Sequence, residues 1–180
     1  LGDPAKGLAD VHLAVRIDGN CSCAYDILGA DPSRVYADAK YAWVYAWRGG
    51  IHRRLERWEA AFKDLDHALE LDPGCFWARA GRGELNSAQG DPRGALLDLD
   101  RASAELPGYL EAHVWRGNAL CKIKKCAQAR LAFERALALD PSHVWGLIGL
   151  GVCLDHSGKK EASKSYFERA RQLAPALFEA

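Results

Sequence analysis

The sequence predicts an all-α chain, a solenoid of stacked helical hairpins, and three observations predict it. Four of the seven prolines, Pro73, Pro107, Pro141 and Pro175, stand 34 residues apart each time. Four further series keep that step: Gly49, Gly83, Gly117 and Gly151; Ala61, Ala95, Ala129 and Ser163; Ala68, Ala102, Ala136 and Ala170; and the bulky Leu65, Leu99, Phe133 and Phe167. Each period also holds two stretches with apolar residues at helical spacing, such as Leu110 to Ile123 and Ala127 to Leu139. The second of these ends at Pro141, because proline disfavours helical geometry in the residue before it. A hairpin of this size cannot bury its apolar face alone, so neighbours must stack.

Residues 1–41 open the array irregularly. Gly2-Asp3-Pro4 followed by Leu8, Val11 and Ala14 echoes Gly90-Asp91-Pro92 followed by Leu96, Leu99 and Ala102, which makes the start the second helix of a partial repeat. Ile17-Asp18-Gly19 then stands where Leu71-Asp72-Pro73 stands later, and the register fails beyond it. Two readings restore it: a long helix from about Ser33 to about Arg54, or one repeat with an insertion of seven residues, since Asp31-Pro32 precedes Asp72-Pro73 by 41. Four regular hairpins follow, 42–75, 76–109, 110–143 and 144–177, with a tail at 178–180. The glycine at the eighth place and the small residue at the twentieth let the two helices approach closely. Gly90 and Gly158, at the fifteenth place, fall in the hairpin turn.

On these residues the chain resembles the tetratricopeptide repeat family over about three quarters of its length. The frame Val144 to Leu177 carries Leu150, Gly151, Phe167, Ala170 and Pro175 at the family's signature places, with Ser163 for the usual alanine and Leu147 and Leu154 where aromatics are usual. The resemblance implies a right-handed superhelix of antiparallel hairpins and a protein-binding role. The signature residues themselves are packing residues.

The seventh place, apolar in the family, holds Arg48, Arg82 and Arg116. The first two of those repeats carry Asp64 with Asp66, and Asp98 with Asp100, on the second helix; the third has Ala132 and Glu134. Where the place reverts to Leu150 the residues are Tyr166 and Glu168. This covariation predicts that each arginine reaches an acidic residue on its partner helix, a geometry that suits a guanidinium and fixes packing.

In the family, the first helices line a concave groove. Carried over, its second place gives Trp43, Trp77, Glu111 and Trp145, its fifth Ala46, Ala80, Val114 and Ile148, and its ninth Gly50, Glu84, Asn118 and Val152. The rim is then Arg53, Arg54, Ser87, Lys122, Asp155 and His156. The resemblance implies an apolar floor with tryptophan anchors and a mixed polar edge, the character of a protein-binding surface. Trp47 and Trp115 flank this groove or pack beneath it, and Trp58 is expected in the core, closing a hairpin turn. Some members grip a chaperone's C-terminal carboxylate with lysine, asparagine and arginine. Here Ala46, Gly50, Gly81, Glu111 and Trp115 stand at those places, so recognition of that kind is not expected.

Chemistry finds little support. Cys21 and Cys23 are one residue apart, too close for a usual zinc pair, and Cys75, Cys121, Cys126 and Cys153 show no second pair. The six histidines are scattered, and no phosphate loop or nucleophile turn is present. We expect no enzyme activity, no metal, no cofactor, and reduced thiols in a cytoplasmic setting. Twenty-four basic residues against 24 acidic ones leave no net charge, which argues against nucleic acid and anionic membrane as partners. No apolar run is long enough to span a bilayer. A chain without methionine, ending soon after Pro175, is expected to be a segment of something longer. The function expected is a protein-interaction module that binds a peptide or partner segment. The alternative is a structural scaffold that assembles through its exposed ends as a homo-oligomer, or the helical arm of a larger multidomain enzyme.

Overall fold

The computed structural model describes residues 42–178, so both readings of the first 41 residues lie outside the described part. Among the described residues there are eight α-helices and no strand. They are α1 (Ala42–Arg54), α2 (Trp58–Leu71), α3 (Phe76–Ala88), α4 (Pro92–Glu105), α5 (Leu110–Lys122), α6 (Cys126–Leu139), α7 (Val144–His156) and α8 (Lys160–Leu173), followed by a 3-10 turn, Pro175–Leu177. The chain divides inside α3, after Leu85, into two compact units, and each is taken by itself.

The helix ends follow from local chemistry. Asp72, Leu106, Asp140 and Ala174, each just before a proline, close the second helices with non-helical backbone at φ −138°, −131°, −139° and −144°, extended at the two aspartates. At the start of α4 the Asp91 carboxylate accepts the Gly94 N–H at 2.9 Å, with Pro92 in the first helical position. His143 does the same for α7, its Nδ1 accepting the Gly146 N–H at 3.1 Å. The tight turn inside each hairpin uses a left-handed residue at one fixed place: Glu56 (φ 57°), Gly90 (96°), Lys124 (62°) and Gly158 (75°). Glycine fills it without strain in two repeats, and the other two accept a side chain there.

In the first unit, Leu65 of α2 packs against Gly49 of α1 and Gly81 of α3. A Cβ on either glycine would stand 2.8 Å or 3.1 Å from its side chain. Ala42, Tyr45, Ala46, Ala61, Ala68, Cys75, Ala78 and Leu85 complete that core. In the second unit Phe133 of α6 plays the same part between Gly117 of α5 and Gly149 of α7. Val114, Leu120, Ala129, Leu150, Cys153 and Leu154 surround it. Where Ser163 replaces the usual alanine, its buried hydroxyl donates to the Gly151 carbonyl at 2.8 Å.

The arginine column also makes links between repeats that the sequence expectation did not include. Arg48 does grip Asp64 of its partner helix with two hydrogen bonds, 2.6 and 2.5 Å. Arg82 bonds Asp66 at 2.9 Å, and Arg116 bonds Asp100 at 2.5 Å, each on the second helix of the preceding repeat. The paired aspartates are therefore not equivalent: Asp64 and Asp98 are buried, while Asp66 and Asp100 stay exposed and point to the next repeat. Glu134, which meets Leu150 instead of an arginine in the following repeat, pairs with Arg130 one helical turn away at 3.1 Å. A second repeat-to-repeat link uses the proline carbonyl. Arg79 donates to that of Pro73, and His113 Nε2–H to that of Pro107 at 2.9 Å. In the last repeat Leu147 cannot donate, and Arg169 of α8 bonds the Pro141 carbonyl at 3.0 Å instead.

Candidate partner-binding surface

Residues spaced by seven and eleven along a helix share one face. On α1 that face carries Trp43, Trp47, Gly50 and Arg54, on α3 Trp77 and Glu84, on α5 Glu111, Asn118 and Lys122, and on α7 Trp145, Val152 and His156. The structure leaves this stripe open on every first helix. Trp43, Trp77 and Trp145 are 54%, 49% and 55% exposed, so about half of each second-place residue stays open. Trp47 is as exposed as Trp43 and stands one turn from it on the same stripe. Arg54, Glu111, Asn118, Lys122 and His156 are exposed as well, and Glu84 and Arg53 are half-buried.

Three expectations are corrected. The fifth-place residues do not form an accessible floor: Ala46, Ala80 and Val114 are buried in the cores, and only Ile148 is partly open. The reason is angular, since the fifth place lies about 60° round the helix from the second, and that turns it toward the neighbouring helix. Ser87, expected on the rim, is buried, and its carbonyl accepts Lys122 Nζ at 2.6 Å. Trp58, expected in the core, opens α2 at the surface with 36% exposure. Trp115 is half-buried and makes an edge-to-face contact with Tyr109, ring centroids 6.1 Å apart.

In the first unit the structure brings Arg53 and Glu84 together as an ion pair linking α1 to α3. Just beneath, His52 lies 3.8 Å from the Asp64 carboxylate. Burial holds its imidazole below the ordinary value of 6.5 against the opposing pull of Asp64, with Arg48 and Arg57 acting in the same direction as burial. In the second unit the Cys121 and Cys153 thiols are 3.6 Å apart, and Cys126 Sγ is 3.8 Å from His156 Nδ1. Burial raises Cys121, and burial with the neighbouring Cys121 pushes Cys153 up to about 12, so this pair stays as neutral thiols. Among the described residues no group of three or more His, Cys, Asp or Glu side chains is placed to hold a metal ion. No helix among them is long and apolar enough to cross a membrane. The arrangement suits contact with another surface, through large apolar rings set among fixed charges.

These features define an all-α helical-repeat protein whose first helices present an open aromatic and charged stripe. A family model described as tetratricopeptide repeat matches residues 80–143 and 116–177, together more than half of the chain. No curated protein sequence matches. Solved structures do: MamA, residues 41 to the end, from Desulfovibrio magneticus RS-1, is 20% identical with a TM-score of 0.71, covering 97% of this chain and 97% of that one. The first tetratricopeptide domain of Spaghetti (RPAP3), bound to the HSP90 peptide SRMEEVD, is 21% identical with a TM-score of 0.63, covering 67% and 96%. PilF of Pseudomonas aeruginosa is 22% identical with a TM-score of 0.68, covering 76% and 62%. At such identities the likeness establishes the fold. The chain belongs to the tetratricopeptide repeat family, a fold that serves as a general protein–protein interaction module.

Proposed function

We propose that this chain binds an extended or helical segment of another protein along the open stripes of its first helices, with Trp43, Trp77 and Trp145 as anchors. The half-exposed indoles carry the reading. Covering about 100 Å² of an aromatic ring is worth roughly 2–3 kcal/mol, and tryptophan and arginine dominate binding energies at interfaces. Arg53, Arg54, Glu84, Glu111, Asn118, Lys122 and His156 would supply the polar edge. The reading is of a binding role without catalysis, in a reduced, cytoplasmic setting, and the four described cysteines, all free, agree with it. Balanced charge supports a protein partner over nucleic acid or a lipid surface.

Capture from the native source by the wild-type chain and by a Trp77→Ala/Trp145→Ala double variant tests this. Proteins held by the first and lost by the second are the expected partners. An unchanged set captured by a folded double variant would defeat the proposal. Light scattering on the purified chain separates partner binding from self-assembly, for which a stable oligomer would be the sign.

The RPAP3 domain was solved with a peptide ending in Glu-Val-Asp. This chain offers buried Ala46 and Gly81 and the exposed acid Glu111 at the corresponding places, and none of these residues can neutralise a terminal carboxylate. We therefore predict no saturable binding of a Glu-Glu-Val-Asp peptide by calorimetry. A micromolar isotherm would contradict this.

A further inference from the structure

The arginine column breaks at its fourth member, and the break leaves a site. One repeat earlier, Arg116 of α5 bonds Asp100 of α4 at 2.5 Å, with Ala132 and Arg135 of α6 and Pro107 at the neighbouring places. A step of 34 residues turns this set into Leu150, Glu134, Tyr166, Arg169 and Pro141. These five residues, with Leu137, line a cleft of about 240 Å³ between α6 and α8, floored by α7. The cleft thus stands where the chain's own guanidinium would lie if the repeat had kept its arginine.

We propose that this cleft receives an arginine side chain of a partner polypeptide, its guanidinium pairing with Glu134 and its stem lying over Leu150 and Leu137. The carboxylate is in place and accessible. Glu134 is exposed, and its present partner Arg130 is a half-buried neighbour one turn away on the same helix with its side chain 40% open, a pairing weak enough to exchange. The floor is apolar, as the aliphatic stem of arginine requires, since Leu150 is buried. Tyr166 replaces the small Ala132 and adds an aromatic ring to the wall, a surface on which a guanidinium stacks favourably. Arg169 also lines the cleft, but its guanidinium is held by the Pro141 carbonyl at 3.0 Å. Arg135, a cation at the matching place one repeat earlier, already coexists with the Arg116–Asp100 pair. Lysine fits less well, because its compact ammonium cannot bond a carboxylate in the two-pronged manner. The cleft is separate from the tryptophan stripe, since Leu150 lies about 140° round α7 from Trp145.

The test is a titration of the isotopically labelled, intact chain with the blocked peptide acetyl-Gly-Arg-Gly-amide, followed by NMR shifts. Its citrulline and lysine counterparts and free L-arginine serve as comparisons. Saturable shifts around Glu134, Leu150, Tyr166 and Arg169 are expected. Affinity should fall by about tenfold for the citrulline peptide, and by a similar factor in Glu134→Gln, as loss of a charge-assisted bond implies. Leu150→Arg should supply the missing group from within, abolish peptide binding and keep or raise the thermal midpoint. If that variant fails to fold, Glu134→Gln, at an exposed position, still decides the matter. Equal affinity for the citrulline peptide, indifference to Glu134→Gln, absence of shifts, or tighter binding of free L-arginine than of the blocked peptide would each overturn the assignment.

Discussion

Phe133 shows how one side chain sets a helix spacing. Its ring is fully buried between Gly117 and Gly149, and a Cβ on Gly117 would stand 2.6 Å from it. The ring cannot yield, because Gly149 bounds its other side. Gly117→Ala should therefore destabilise by about 1–3 kcal/mol in urea unfolding, despite the gain in helix propensity of about 1 kcal/mol. At Gly50 a Cβ meets nothing within 4 Å, and Gly50→Ala should stabilise by up to about 1 kcal/mol. The turn residue offers a similar contrast. Lys124 holds φ 62°, so Lys124→Gly should add about 0.5–1 kcal/mol, measured as a higher urea midpoint. His52 makes stability depend on pH. Its folded value lies below 6.5, so the unfolded chain takes up the proton first. The contribution is whole above about pH 6.5 and declines as pH falls toward the folded value. His52→Asn, the residue that Asn86 supplies at the same place of the next repeat, should flatten the urea midpoint between about pH 7 and 5. An unchanged slope would remove His52 from that role.

At the scale of helices, proline spacing and the glycine and alanine columns were enough to read two helices per period, because terminators and close contacts demand particular residue types. The arginine links were legible only as a column. Arg82 has an aspartate sixteen residues away on both flanking second helices, Asp66 and Asp98, so spacing alone does not show its backward link to Asp66, and the backward link of Arg116 to Asp100 lies outside the pattern within its own repeat. The second sandwich glycines, Gly81 and Gly149, form no column in the sequence, because glycine occurs at the sixth place in only two of the four repeats. Burial separates the two kinds of link in energy. Asp64, buried and doubly bonded, should cost roughly 3 kcal/mol when changed to Ala, since Arg48 is left without its carboxylate. Asp100→Ala, at an exposed link, should cost under about 1 kcal/mol. Equal losses in thermal or urea unfolding would show that burial does not rank them.

For the molecule as a whole, family and fold could be read from the repeated residues, while the candidate surface was legible only in outline. The family resemblance put the second-place tryptophans on the groove, but it did not give the depth of the fifth place, where Ala46, Ala80 and Val114 are buried. Glu134, Leu150 and Tyr166 went unread as a site because each substitution is unremarkable alone; their meaning comes from the cleft they share. The most direct test of the central claim starts from a peptide selected from a random-sequence library on the intact chain. Its affinity is then measured by calorimetry for wild type, Trp77→Ala and Trp145→Ala, with helicity and thermal midpoints as controls. The open stripes predict that dissociation constants rise by about thirtyfold in the tryptophan variants while the fold is kept. Unchanged affinity in both folded variants would contradict binding through these faces.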